Sequence, residues 1–248
     1  MTPMNDKFIR SLKIDWNKTD PDSWLQNIPA LRQIHTLEFR KNITIFAGEN
    51  GTGKSTLLEA IATAYGFNPE GGTLNYRFST FDDVSELNQS ILLMKGFRRA
   101  SFGCFFRAES FFNVAAKAED YRGFTPKEIY YARYGGKSLH EQSHGESFLA
   151  YFQSFQEAGL YLMDEPEAAL SPQCQLSLFL QISKMAEAGS QFIMASHSPI
   201  LLGIPKADIL SFDEGEVKRC SYEDTESYQV MEMFINHRDT LVKRLLDE

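Results

Sequence analysis

Residues Ser138 to Ala150, SLHEQSHGESFLA, hold two chemistries in overlapping letters. His140, Glu141 and His144 spell H-E-x-x-H, in which two imidazoles one helical turn apart bind zinc and the glutamate acts as general base. Ser143 to Ser147, S-H-G-E-S, instead set a hydroxyl, a glycine and an acid where a helix can begin, and a helix N-terminus binds anions. A third pattern lies upstream. Gly48, Glu49, Asn50, Gly51, Thr52, Gly53, Lys54 and Ser55, followed by Thr56, give G-x-x-x-x-G-K-S. Average composition produces either H-E-x-x-H or the glycine pattern in about one chain in a hundred of this length, so context decides between them.

The glycine pattern has its context. Ile43 to Ala47 is a short β-branched and apolar run, and Leu57, Leu58, Ile61 and Ala62 recur at helical spacing before Gly66, a candidate C-cap. Strand, glycine loop and helix form a phosphate cradle, because glycines let successive N–H groups point into one concavity at a positive helix end. Lys54 would meet the β- and γ-phosphates, and the Ser55 hydroxyl can ligate Mg²⁺.

A second apolar run, GLYLMDEP, closes on Asp164 and Glu165. At the carboxyl edge of a parallel sheet, Asp164 would hold Mg²⁺ and Glu165 would polarise the attacking water. Ser171-Pro172 is a helix start, Gly189 a helix end, and QFIMAS (Gln191 to Ser196) a further buried strand. This is a βαβ unit, with parallel strands and a right-handed crossover. It delivers His197 to the same edge as Glu165, where an imidazole can donate to a γ-phosphate.

GENGTGKS, SHGES, LYLMDEP, EAALSP and SHS follow one another in the order and spacing of the ABC ATPase superfamily. They resemble its phosphate loop, signature loop, Walker B strand with catalytic glutamate, D-loop and switch histidine. The likeness is to the RecF/SMC-like repair and defence branch and, over nearly the whole chain, to a small family of stand-alone bacterial ATPases. The resemblance implies that Ser143, Gly145 and Glu146 act in trans, closing on nucleotide held by a second copy in an ATP-dependent homodimer. It also implies a glutamine-loop equivalent, for which Glu109, after the strand Ser101 to Phe106, is the candidate. His144 departs from the glycine of transporter signatures, and Glu146 from their usual glutamine. No aromatic residue is singled out to stack on adenine.

This reading resolves the opening stretch. Gly145 is a poor residue on which to carry a zinc-binding helix, whereas a helix starting near Ser143 gains Glu146 as its capping-box partner. His140 and His144 then share no face, so a zinc metalloprotease is the remote alternative. Asn17-Lys18-Thr19-Asp20 matches a guanine-reading motif but precedes the phosphate loop, and is set aside.

The expected fold is α/β: a mainly parallel P-loop NTPase sheet, ABC ATPase-like, with flanking helices, a β-rich N-terminal part and a small inserted helical subdomain. One domain spans 1–248: the N-terminal part and core over 1–109, the helical signature subdomain over 110–156, and the remaining core with a C-terminal helix over 157–248. The 88 positions from Ser55 to Ser143 suit no long coiled coil and the 51 residues after His197 no added nuclease, so any effector is expected to be a separate protein. The tail helix, from about Thr225, has a partly apolar face (Val230, Met233, Phe234, Leu241, Leu245) fit for core or docking.

The 248-residue chain is 43% hydrophobic and 23% charged, with 20 Phe and 10 Tyr, which describes a folded globular protein. No apolar run approaches the roughly 20 residues of a membrane span, there is no signal peptide, and the three cysteines make no framework, so a cytoplasmic location is expected. Net charge is −8, yet the stretch 95–137 carries nine Lys/Arg against four Asp/Glu. A basic lobe there is a candidate nucleic-acid surface, the more ordinary reading being an amphipathic helix set against the acidic body. The function expected is an ATP-hydrolysing dimeric switch in DNA-related or defence processes. The nucleotide-binding subunit of a membrane transporter is the alternative.

Overall fold

A computed structural model describes residues 7–74, 86–109, 111–120, 122–155, 157–168 and 170–247. The expected boundaries at 110 and 156, and one residue of EAALSP (Ala169), lie outside these. Ten strands occur among the described residues: β1 (Ile9–Ile14), β2 (Thr36–Glu38), β3 (Ile43–Ala47), β4 (Gly72–Thr73), β5 (Ile91–Lys95), β6 (Gly103–Arg107), β7 (Leu160–Asp164), β8 (Gln191–Ala195), β9 (Asp208–Ser211) and β10 (Lys218–Cys220).

Seven of them form one sheet in the order β10-β9-β3-β8-β7-β6-β4. The five central strands are parallel, with Ile45 opposite Met194 on one side and Ile209 on the other, and with Leu162 opposite Phe105 and Ile193. β10 and β4 close the two edges antiparallel. Strands β3, β7 and β8 are buried at every position, which is why they read as unbroken apolar runs rather than as alternation.

Alternation instead sorts side chains between two cores. Phe46, Phe105, Leu162, Ile193 and Leu210 face the helix Lys54–Tyr65 and the N-terminal sheet. Ile45, Phe106, Met163, Met194 and Ile209 face the opposite way, onto Phe148, Phe152, Leu178 and Ile182. The N-terminal sheet is antiparallel, in the order β2-β1-β5. It is tied to the main sheet by Gln191, whose amide accepts from the Ile9 N–H at 2.9 Å and donates to the Ile9 carbonyl at 2.8 Å. A buried side-chain amide satisfied on both ends costs little and fixes register.

The connection from β6 to β7 is helical: Phe111–Asp120, Lys127–Tyr131 and His144–Gln153. Val114, Tyr130, Phe148 and Phe152 share the core of the second sheet face, so the segment has no separate core. Four cations of the 95–137 stretch are engaged within the fold. β5 pairs with β1 and carries Lys95 and Arg98 to the N-terminal sheet, where they lie over the rings of Tyr65 and Phe8. Arg107 pairs with Glu59 at 2.7 Å, and Arg133 lies over Tyr130 and Tyr134. Strand pairing and cation–π contact thus divide the stretch.

The tail helix spans Glu226–Leu246 behind Thr225, and none of its residues is buried. Val230, Met231, Met233, Phe234, Ile235, Leu245 and Leu246 are exposed, so of the two expected roles for its apolar face the core is excluded within this chain. Among the described residues, no helix is long and apolar enough to cross a membrane.

Candidate functional site

The loop from Gly48 to Gly53 bends through three left-handed glycines, Gly48 (φ 133°), Gly51 (φ 81°) and Gly53 (φ 96°). At Gly53 the need is also steric, because a Cβ would come within 2.7 Å of Leu31 Cγ. The helix then begins at Lys54 and ends at left-handed Gly66. Lys54 is almost wholly buried, and its ammonium donates to the carbonyls of Gly48 (2.7 Å) and Glu49 (2.6 Å). Burial lowers its pKa from the usual lysine value, while Glu165, Asp213, Asp164 and Glu167 pull it back up.

Ser55 Oγ donates to Asp164 Oδ1 at 2.8 Å, joining the loop to the end of β7. Burial pushes the Asp164 carboxyl up to about 6, against the pull of the Ser55 hydrogen bond and Arg107. A hydroxyl and a buried carboxylate in contact beside an anion-binding loop are the hard oxygen donors that Mg²⁺ prefers, so these residues fit a magnesium nucleotide.

Glu165 follows in a left-handed conformation (φ 47°), which a non-glycine residue adopts at a cost of about 1 kcal/mol or more. Its N–H donates to the Ala195 carbonyl at 3.0 Å, and its carboxylate turns toward His197. Glu165 Oε1 lies 3.6 Å from His197 Nε2, beyond hydrogen-bond length. His197 Nε2 is buried and makes no hydrogen bond. Burial, and then the Lys54 charge, lower the pKa of this imidazole. Neutral, it has one nitrogen free to act on whatever binds in front of it.

Lys54, Ser55, Asp164, Glu165 and His197 therefore converge on the carboxyl edge of β3, β7 and β8, as their sequence positions lead one to expect. A cleft of about 270 Å³ adjoins them, lined by Gly48, Glu49, His197, Pro199, Val230 and Met231. The tail helix is thus one wall beside the phosphate edge. Glu109 lies after β6 with its side chain almost fully exposed, 3.8 Å from Arg107, and its charge reaches Asp164.

The signature residues stand differently. Ser143 is the N-cap of the helix His144–Gln153, and the capping box with Glu146 forms as the spacing predicts. Ser143 Oγ donates to Glu146 Oε2 at 2.6 Å, and the Ser143 N–H donates to the same oxygen at 3.0 Å. Those bonds hold the Glu146 carboxyl below the usual carboxylate range. The helix N-terminus, read from sequence as an anion site, is therefore met by its own Glu146. Each hydrogen bond of Ser143 stays within this turn.

His140 lies in a separate turn, Leu139–Glu141, while His144 is the first residue of the next helix, with its ring edge-on to Phe111. The two histidines of H-E-x-x-H share no helix, which removes the zinc-site geometry. The guanine-motif look-alike is structural as well: Trp16 is core, and Thr19 shares a hydrogen bond of 3.0 Å with Ser90.

Sequence reasoning missed two residues. Asp213, after β9, accepts from the Glu49 N–H at 3.0 Å and from Ser211 Oγ at 2.8 Å, bracing the start of the phosphate loop. Glu167 Oε1 accepts from Ser196 Oγ (2.9 Å), the His197 N–H (2.5 Å) and the Ser198 N–H (3.0 Å). For Asp213 no motif offered a signal. For Glu167 the signal was a third acid in DEPE, two positions beyond Glu165.

Comparison with known proteins agrees with this architecture. Residues 25–110 match a family described as "AAA domain". Residues 147–203 match a second AAA-domain family, whose description names the AbiEii toxin of a type IV toxin–antitoxin system. No curated protein matches the sequence. Among solved structures, an inward-facing ABC transporter described as of metal-chelate type superposes with a TM-score of 0.50 at 15% identity, over 91% of this chain and 88% of that one. CbiO1 of Clostridium perfringens, part of the ABC transporter complex cbiONQ, gives 0.48 at 15% identity over 98% and 100%. An ATP-binding cassette of an ABC transporter in its ADP conformation gives 0.49 at 15% over 93% and 99%. The chain has the α/β fold of ABC ATPase domains, and two AAA-domain families match parts of it.

Proposed function

We propose that the chain hydrolyses ATP as one half of a head-to-tail homodimer, in which each copy lends its Ser143 loop to nucleotide bound by the other. The observation that carries this reading is the meeting of Lys54, Ser55, Asp164, Glu165 and His197 at one sheet edge, with Ser143 tied only to its own turn. Lys54 and the Gly48–Thr56 amides hold the phosphates. Ser55 and Asp164 would hold Mg²⁺, which when bound neutralises phosphate charge. Glu165 takes the proton of the attacking water, and neutral His197 donates to the γ-phosphate. Glu109 orients the same water. Ser143 and Gly145 close the far side, exclude solvent and concentrate the electrostatic stabilisation, while Glu146 holds the Ser143 turn in shape.

The switch so formed belongs to the RecF/SMC-like branch and acts in the cytoplasm in DNA-related or defence processes, through a separate effector. The AAA-domain family named for AbiEii supports the defence side. A transporter subunit is the second reading, favoured by the transporter of like fold. Co-purification with an integral membrane protein would select it.

Phosphate release from ATP tests the first claim. Wild-type protein should turn over ATP with Mg²⁺, and Lys54→Ala should not. Release that persists undiminished in Lys54→Ala would refute the assignment.

A further inference from the structure

We infer that Glu167 is a positioning residue that fixes His197 against Glu165, so that the base and the histidine move as one body. This rests on the ATPase reading above. One carboxylate oxygen of Glu167 collects three donors from three consecutive residues, Ser196 Oγ, His197 N–H and Ser198 N–H. Successive donors gathered on one anion fix the path of a turn, as they do in a backbone nest. The other oxygen, Oε2, is buried and makes no hydrogen bond, and the bonds that the side chain makes beyond its own residue all go to this one turn.

The opposite end of the turn is anchored as well. Ser196 N–H donates to the Phe46 carbonyl at 3.1 Å. Ser198 Oγ donates to Gln175 Oε1 at 2.6 Å, and Gln175 Nε2 donates to the Leu170 carbonyl at 3.0 Å. The two loops are thereby stitched at three levels. Glu165 N–H reaches back to Ala195, Glu167 reaches across to 196–198, and Gln175 bridges Leu170 to Ser198. His197 has little else to orient it. Its Nε2 makes no hydrogen bond, and Glu165 Oε1 stands 3.6 Å from it. Glu167 thus controls the distance between the two groups through the backbone, while its carboxylate is committed to the turn.

The test compares Glu167→Ala and Glu167→Gln, each alone and combined with His197→Ala, by steady-state ATP turnover and by NMR of the His197 ring. Glu167→Ala should lower kcat about 100-fold, as displacing a reacting group by an ångström does, and leave KM for ATP within about threefold. Glu167→Gln keeps an acceptor at Oε1 and should recover at least about tenfold of that loss. With His197→Ala already present, Glu167→Ala should cost about twofold or less, because residues acting through one another are not additive. The ring resonance of His197 should move in Glu167→Ala and return toward its wild-type position in Glu167→Gln. A full loss repeated in the His197→Ala background, or a kcat unchanged by Glu167→Ala, overturns the inference. If wild type fails to hydrolyse ATP, the functional reading falls and the NMR arm decides alone: an unmoved His197 resonance in a folded Glu167→Ala protein overturns it.

Discussion

The phosphate edge and the signature turn are built by opposite rules. At the phosphate edge three contacts join residues far apart in sequence. Ser55 meets Asp164, Glu49 meets Asp213, and Glu167 meets the turn at Ser196–Ser198. At Ser143 the hydrogen bonds reach no further than four residues along the chain. The first region is completed by folding. The second is a finished helix end whose electrostatics are spent on its own Glu146, and under the proposed function it gains a task only when another surface meets it.

That contrast is broken most severely at the edge. Glu165→Gln should lower turnover about 1,000-fold while leaving ATP binding intact, since it removes the base and keeps the shape. Equal loss of binding and turnover, measured by calorimetry beside phosphate release, would remove Glu165 from that role. Next in size is Ser143→Ala. It should cut turnover about 100-fold, as loss of one transition-state donor does, yet leave the affinity of a dilute single copy for ATP unchanged. Weakened nucleotide binding by the isolated copy would instead place Ser143 in the site of its own chain.

The sequence made the edge legible because each part carries its own local signal. Glycines precede a lysine at a helix start, acids close an apolar run, and a serine–proline pair opens the following helix. It showed the capping box at Ser143 for the same reason. It did not show the grip of Glu167 on the 196–198 turn or of Asp213 on Glu49, because contacts across 30 and 164 residues leave no period or spacing to read. Nor did the run of charge over 95–137 say which of its cations would sit on the N-terminal sheet and which on the helical connection.

A third prediction concerns Asp164 in nucleotide-free protein without metal. Its carboxyl is raised from the usual value to about 6, so the fold favours the protonated form. The stability this group permits is full below about pH 4 and is lost as pH rises through about 6, the unfolded chain then holding fewer protons than the native one. Asp164→Asn should therefore match wild type in thermal unfolding near pH 4 and exceed it by about 2 kcal/mol at pH 7.5. A gap that narrows with rising pH would contradict this. The smallest effect is expected at Glu146. Glu146→Gln removes a like charge facing the incoming phosphate and should tighten ATP-dependent self-association by about threefold. Weaker association would show that the carboxylate helps rather than competes.

Sedimentation of the Glu165→Gln protein with ATP and Mg²⁺ tests the shared site most directly. The account predicts a species of twice the monomer mass that is lost when ATP is omitted and when Ser143→Arg is added. A protein that stays monomeric with ATP, or a dimer indifferent to Ser143, would contradict it.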